Sequence, residues 1–354
     1  ARWSGARWRR TGYGDRHVRR GRRHRRGEWR QDRLMAISSK IPADHGLSTR
    51  MFVTGLLLVV LYAIFGAILW QLFKSFVILF VVIFGLLFLQ YWFSDKVALW
   101  GMHGRVVTPE QEPALHGVVD RLCALADMPK PRVAVADTDF PNAFATGRSP
   151  KAAVICATTG LLRRLDEPEV EAVLAHEISH VAHRDVAIMT IASSLGVLAG
   201  LTTRMMLYAG LFGGFGGGGR GRSTQSGGQL VAIEMMVMAA SIVVYAVSFL
   251  LTRALSRYRE LAADRSGAIL IGRPSLLASA LVKITGDMGR IPSRDLRHAE
   301  PFNAFFFAPA VTQRRGPGQQ GSGLSIGAIF STHPSLERRL AQLAELETQL
   351  GEAH

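Results

Sequence analysis

Cysteine is nearly absent from this chain: Cys123 and Cys156 are the two among 354 residues. They stand far apart and have no ligand spacing, which argues against a disulfide framework and suits a reducing, cytoplasmic compartment. Both read as small core residues. Charge is missing from long stretches. Met51–Phe73 carries none; Lys74 and Ser75 follow, and Phe76–Ser94 again carries none. Crossing a bilayer takes roughly 20 apolar residues, so both stretches qualify as spans. Both exceed the apolar region of about 7–15 residues in a cleaved signal peptide. Acidic residues are outnumbered, 27 Asp and Glu against 42 Lys and Arg, for a net charge of +15. Residues 1–34 alone hold 13 Arg against Asp15, Glu28 and Asp32. This leader has no apolar periodicity. It reads as a basic tail ahead of a membrane span, or as sequence upstream of a natural start at Met35, rather than as a nucleic-acid-binding arm; no nucleic acid is expected as a partner. Positive charge before the first span holds that end on the cytoplasmic side.

The pattern divides the chain into a basic leader (1–50), a transmembrane hairpin (51–94), a first part of a catalytic domain (95–186), a second hairpin (187–252) and a second part of the catalytic domain (253–354). In the first soluble part, Thr108 reads as an N-cap with Pro109 at the first helical position and Gln111 as its capping-box partner. Pro131–Thr138 and Lys151–Thr159 read as strands. Between them, Asn142–Thr146 fits either an edge strand able to accept an added peptide strand or an ordinary hairpin connection. Asp166 caps the next helix, with Pro168 in its first turn and Glu169 at the capping-box position. That helix carries "LAHEISHVAHRD" and runs into an apolar stretch, Val186–Thr203. The Gly-rich segment 213–229 reads as a flexible connector. Leu230–Leu251 is a fourth apolar stretch, with Glu234 as its one charge. Arg204 and Glu234 are costly in lipid, so the second hairpin is the weaker one. Beyond Arg253 a helix runs to about Gly272 and a second follows from "GRPSLLASALVKIT". Residues 311–328 form a Gly/Gln/Ser-rich loop, and a charged amphipathic helix closes the chain.

The chemistry lies in His176, Glu177 and His180. At about 100° per residue the two histidines share a helix face one turn apart, as two zinc ligands require. Glu177 sits beside them, where a carboxylate can take a proton from water that zinc has made acidic. The pattern also occurs in proteins without metal. A catalytic zinc usually has three protein ligands. The metzincin arrangement is excluded, because His183 and Val186 occupy the positions of its glycine and third histidine. His183 reads as a solvated residue. Glu260 in "RELAADRSG" is the candidate third ligand, and Asp264, one turn later, could orient a ligand imidazole. Taken alone, the same residues read as a solvated charged face. Two crossings between His180 and Glu260 would return both to one side of the bilayer, and Arg253, Arg257 and Arg259 agree with a cytoplasmic exit.

Together, "LAHEISHVAHRD", "RELAADRSG", "NAFATGRSP" and "STHPSLERRL", arranged around four apolar stretches, resemble the bacterial HtpX family of membrane zinc metallopeptidases, relatives of the CAAX prenyl proteases. The resemblance spans about Leu99–Leu343. It implies a mainly α integral membrane protein with about four transmembrane helices, and a gluzincin-like metallopeptidase domain with a small mixed or antiparallel sheet. It implies one Zn2+ per chain on His176, His180 and Glu260, with Glu177 as general base. Asn142, Ala143, Phe144 and Ala145 would match the family's substrate-holding edge strand, and His333 and Arg339 its segment near the zinc. The implied role is quality control of misfolded or damaged membrane proteins in the cell membrane, with the active site facing the cytoplasm. The Arg-rich leader and the Gly-rich loop depart from the family pattern. The competing readings are a CAAX-type processing protease, which calls for more spans, and a membrane scaffold with structural zinc, which calls for a fourth protein ligand.

Overall fold

The computed structural model describes residues 44–73, 98–216, 224–288 and 333–352, with isolated positions between 81 and 96. Residues 1–43, most of the second apolar stretch and the 311–328 loop lie outside the described residues.

The chain is mostly helical. In order come α1 (His45–Phe73), β1 (Gly104–Val106), α2 (Pro113–Leu125), β2 (Arg132–Ala136), β3 (Ala143–Thr146), β4 (Val154–Thr158), α3 (Thr159–Arg164), α4 (Glu167–Ala182), α5 (Asp185–Gly216), α6 (Thr224–Ile271), α7 (Pro274–Met288) and α8 (Leu336–Glu352). The four strands form one mixed sheet in the order β1-β2-β4-β3. β2 and β4 pair in parallel, while β1 and β3 run antiparallel at the two edges. All five residues of β4 are buried, as befits a central strand. β3 returns into β4 through Gly147, whose φ of +120° suits glycine alone and whose added Cβ would lie 2.6 Å from the Ala152 carbonyl oxygen.

Three helices are long and apolar enough to cross a membrane, within His45–Ile68, Ala187–Arg204 and Met235–Ile271. These are three of the four expected spans; the other falls largely outside the described residues. Their outer faces remain apolar: Phe52, Val59, Met236 and Val243 are each more than half exposed. Such surface suits hydrocarbon rather than water. Inside the bundle, Phe65 of α1 packs on Leu198, Ala199 and Val244, and Leu58 packs with Ala192 and Leu255. The Tyr62 hydroxyl donates to the Ile191 carbonyl, and Thr252 Oγ1 donates to the Ala192 carbonyl at 3.1 Å.

Four elements differ from the sequence expectation. The segment after Thr108 is a separate turn, closed by the Thr108 N–H on Gln111 Oε1 at 3.0 Å. α2 starts afresh at Pro113, because a proline pushes the residue before it out of the α region; Glu112 has φ −134° and ψ 66°. The histidine helix does not run into the membrane unbroken. α4 stops at Ala182, Arg184 takes a left-handed φ of 56°, and α5 begins at Asp185. The third-ligand helix is the far end of a span. No glycine or proline interrupts residues 229–266, and α6 continues for 48 residues, about 72 Å, against about 30 Å of hydrocarbon. Finally, helices take up both ends of the Gly-rich segment, leaving 217–223 outside the described residues; backbone near lipid must satisfy its own hydrogen bonds.

α4 lies in the main core between the sheet and α6. Val170, Val173, Leu174 and Ile178 are buried against strand residues such as Phe144 and Ile155. Where α4 meets α6, an added Cβ on Gly267 would lie 2.8 Å from the His176 nitrogen and 2.9 Å from its Cα. Backbone cannot yield as a flexible side chain can. Gly267→Ala should therefore lower stability by about 1–3 kcal/mol, the usual cost of overpacking. Thermal unfolding in detergent checks this, and an unchanged melting temperature would show that the helices have slack.

Candidate metal centre

Asp166 opens α4, its N–H donating to Glu169 Oε2 at 3.1 Å in the expected capping box. Nearly three turns of helix then separate the cap from His176. His176 and His180 present their rings edge to face, with centroids 4.7 Å apart. Their Nε2 atoms are 3.1 Å apart. From α6, Glu260 brings Oε1 to 3.5 Å from His180 Nε2 and Oε2 to 3.8 Å from His176 Nε2. Among the described residues, this is one group of three side chains able to share a metal ion, with all ligand atoms within 4.8 Å of one another.

The hydrogen bonds behind the rings decide which nitrogens face inward. His176 Nδ1 lies 2.8 Å from Asp264 Oδ1, and His180 Nδ1 lies 2.6 Å from Asp185 Oδ2. A carboxylate accepts, so each Nδ1 carries the proton and each Nε2 presents a lone pair. Two lone pairs and a carboxylate then converge on one point, an arrangement that repels itself until a cation sits there. Tetrahedral zinc with Zn–N near 2.0–2.1 Å sets its ligand atoms about 3.3 Å apart, close to the spacing found. The donor set fits a zinc ion.

Asp264 is fully buried and is gripped by Arg339 of α8, whose Nε and Nη2 donate to its two oxygens at 2.7 and 2.6 Å. Arg339 also stands 3.8 Å from Glu260 Oε2, and His333 Nδ1 stands 3.2 Å from the same oxygen. Both are buried, so in this geometry they brace the carboxylates. His183 caps the end of α4, is exposed and is not one of the three grouped side chains.

Glu177 is buried on the side of α4 that faces β3, and its carboxylate accepts a hydrogen bond from the Ala145 backbone N–H. Burial pushes this carboxyl up to about 8; the neighbouring Glu260 charge acts the same way, and His180, Ala145 and Arg339 act against it. Among the described residues, β3 lies at one edge of the sheet. Thr158 N donates to the Asn142 carbonyl at 2.9 Å, and Asn142 N donates to Thr158 Oγ1 at 2.9 Å. Alternation along a strand then directs the backbone groups of Asn142 and Phe144 toward β4, and those of Ala143 and Ala145 toward the open edge.

Sequence reasoning passed over two participants, Asp185 and Arg259. Asp185 stands five residues after His180, and Arg259 looked like one charge in a basic cluster. Their signal was faint: an acidic residue at the head of an apolar run, and a basic one beside a ligand.

An integral membrane protein with an H-E-x-x-H helix and a carboxylate from a second helix defines a membrane metallopeptidase. The family comparison agrees: peptidase family M48 matches residues 109–347, and the chain belongs to that family. Protease HtpX homolog 1 of Streptomyces coelicolor is 55% identical over 317 residues, covering 90% of this chain and 98% of that protein. The Protease HtpX homolog of Moorella thermoacetica is 50% identical over 313 residues, covering 88% and 98%. The crystal structure of S. mikatae Ste24p aligns with a TM-score of 0.41 at 19% identity, over 83% of this chain and 66% of that one.

The Glu177 carboxyl gives a pH test that does not need activity. Its ordinary value is 4.5 and the fold raises it to about 8. The fold thus favours the neutral form, so its contribution is complete below pH 4.5 and is lost as pH rises through 8. Metal-free wild-type protein should lose melting temperature across that window, and Glu177→Gln should flatten the loss. Identical slopes for the two proteins would contradict the assignment.

Proposed function

We propose that this chain is a zinc-dependent endopeptidase of the cell membrane that cuts misfolded or damaged membrane proteins, with its active site on the cytoplasmic side. The observation that carries the reading is the hydrogen bond between Glu177 and Ala145. It joins a buried carboxylate beside the ligand group to a sheet edge suited to an extended peptide. A zinc ion held by His176, His180 and Glu260 would supply Lewis acidity, lowering the pKa of water and polarising a carbonyl.

The chain's own residues do the rest. The outward backbone groups of Ala143 and the Ala145 carbonyl would pair with substrate main chain, as in strand addition, which reads shape rather than sequence, while the Ala145 N–H stays on Glu177. That lack of side-chain selectivity suits a protease for unfolded chains. Glu177 would take a proton from the attacking water and deliver it to the departing amide nitrogen, so one carboxylate serves as base and then as acid. Arg339 and His333 would hold Glu260 and Asp264 in place.

The location of the site supports the choice of substrate. The apolar run of α6 ends at Leu251, and Glu260 lies nine residues on, about 13 Å at helical rise. Segments emerging from the bilayer would meet the site at that depth. The basic leader and the Arg253–Arg259 cluster support a cytoplasmic orientation.

Full-length protein in detergent should hold about one zinc per chain, as a three-ligand catalytic site does. Glu177→Gln should keep that metal and lose cleavage of casein by about 100-fold or more, the scale of general acid–base catalysis. Casein cleavage that survives the substitution would remove Glu177 from the reaction. A prenylated C-terminal peptide cut in preference to casein would move the reading toward CAAX processing.

A further inference from the structure

Both ligand histidines are braced through α6, each with a second partner helix of its own. Behind His176 stand Asp264 and then Arg339, which comes from the closing helix α8. Behind His180 stands Asp185, the first residue of the membrane helix α5. The second oxygen of Asp185 meets Nη2 of Arg259, which lies on α6 just past its apolar run. Asp185 is 6% exposed and Arg259 is 4% exposed, so the pair is closed off from water.

Asp185 reaches His180 only because the helix breaks. In a continuous helix, five residues turn through about 500°, leaving Asp185 roughly 140° away from the His180 face. The left-handed Arg184, at φ 56°, folds the chain back so that the carboxylate points at the ring. A non-glycine residue in that conformation costs about 1–3 kcal/mol, and such strain persists where the surroundings fix it. Here the surroundings are the buried Asp185–Arg259 pair. With Nδ1–H donated to Asp185, the His180 ring cannot rotate or change tautomer, and Nε2 stays aimed at Glu260 and His176.

We propose that Asp185 and Arg259 are positioning residues for His180, and that through them zinc affinity depends on how the α5–α6 membrane pair is seated. The proposal rests on the zinc reading of the His176, His180 and Glu260 group. It ties the second ligand histidine to both helices of the α5–α6 pair, whereas the first is braced by α6 and α8. Removing Asp185 would free the ring and strand a buried guanidinium. Removing Arg259 would leave Asp185 without the partner that holds it on the ring.

The test uses full-length protein in detergent and measures zinc affinity by competition with a chromophoric chelator. Wild type, Asp185→Asn, Arg259→Gln and Arg259→Lys are compared, with thermal unfolding of each metal-free protein alongside. Asp185→Asn and Arg259→Gln should weaken zinc binding by about 10–100-fold, the scale at which partners behind metal ligands act. Arg259→Lys, which keeps the charge, should recover part of that loss. Metal-free melting temperatures of Asp185→Asn and Arg259→Gln should fall, because each leaves a buried charge unpaired, but the proteins should still fold cooperatively, and casein cleavage by the variants should return as zinc is raised to saturation. Zinc affinity within about twofold of wild type in both Asp185→Asn and Arg259→Gln would overturn the proposal, because orienting partners have larger effects. So would a loss of affinity that appears only with collapse of the metal-free fold and that Arg259→Lys does not relieve. Wild-type protein that binds no zinc would overturn the reading of the centre itself, an outcome distinct from wild type and variants binding equally.

Discussion

At Gly267 the backbone of α6 lies against the backbone of His176 with no room for a methyl group between them. Helices this close carry their side chains into each other's space on both sides of the contact. Seven and three residues earlier on α6, at helical spacing and on the same face, come Glu260 and Asp264. One reaches the front of the histidine pair and the other the back of the first ring. The metal-binding group is thus a consequence of one close approach. The rest of the molecule holds the two helices at that distance: the sheet on one side of α4, α7 and α8 beyond, and the membrane bundle at the end.

Buried charge explains why so many polar residues crowd one place. A buried ion is tolerated only when paired and hydrogen bonded. Around the centre, Asp264 pairs with Arg339 and Asp185 with Arg259, while Glu260 is approached by both rings, His333 and Arg339. Each carboxylate that orients an imidazole is thereby neutralised by a guanidinium. The cluster lies past the apolar run of α6, so its charge stays out of hydrocarbon. The long helix carries Glu260 from its apolar run to the histidine pair without a joint.

Much of this was legible beforehand, for identifiable reasons. The His176–His180 spacing and the capping residues Asp166 and Glu169 are local, and local patterns are written in adjacent residues; Asn142–Thr146 left an edge strand and a hairpin connection equally open. The i, i+4 spacing of Glu260 and Asp264 put them on one face, but on their own they read as a solvated charged face, and the family resemblance was what pointed to them. The break at Arg184 was not legible, since neither glycine nor proline marks it and the contacts of Asp185 with His180 and Arg259 beside it form only in three dimensions. Strand β1 is three residues long, too short for alternation to register. The restart of α2 at Pro113 could have been read from that proline, but the more conspicuous Pro109 sits in a capping pattern of its own.

Zinc-edge X-ray absorption on the metal-loaded protein tests the account most directly. Scattering should fit two imidazoles and carboxylate oxygen at about 2.0–2.2 Å with no sulfur, and the carboxylate contribution should vanish on replacing Glu260 by Ala. A sulfur shell near 2.3 Å, or a spectrum indifferent to the loss of Glu260, would contradict it.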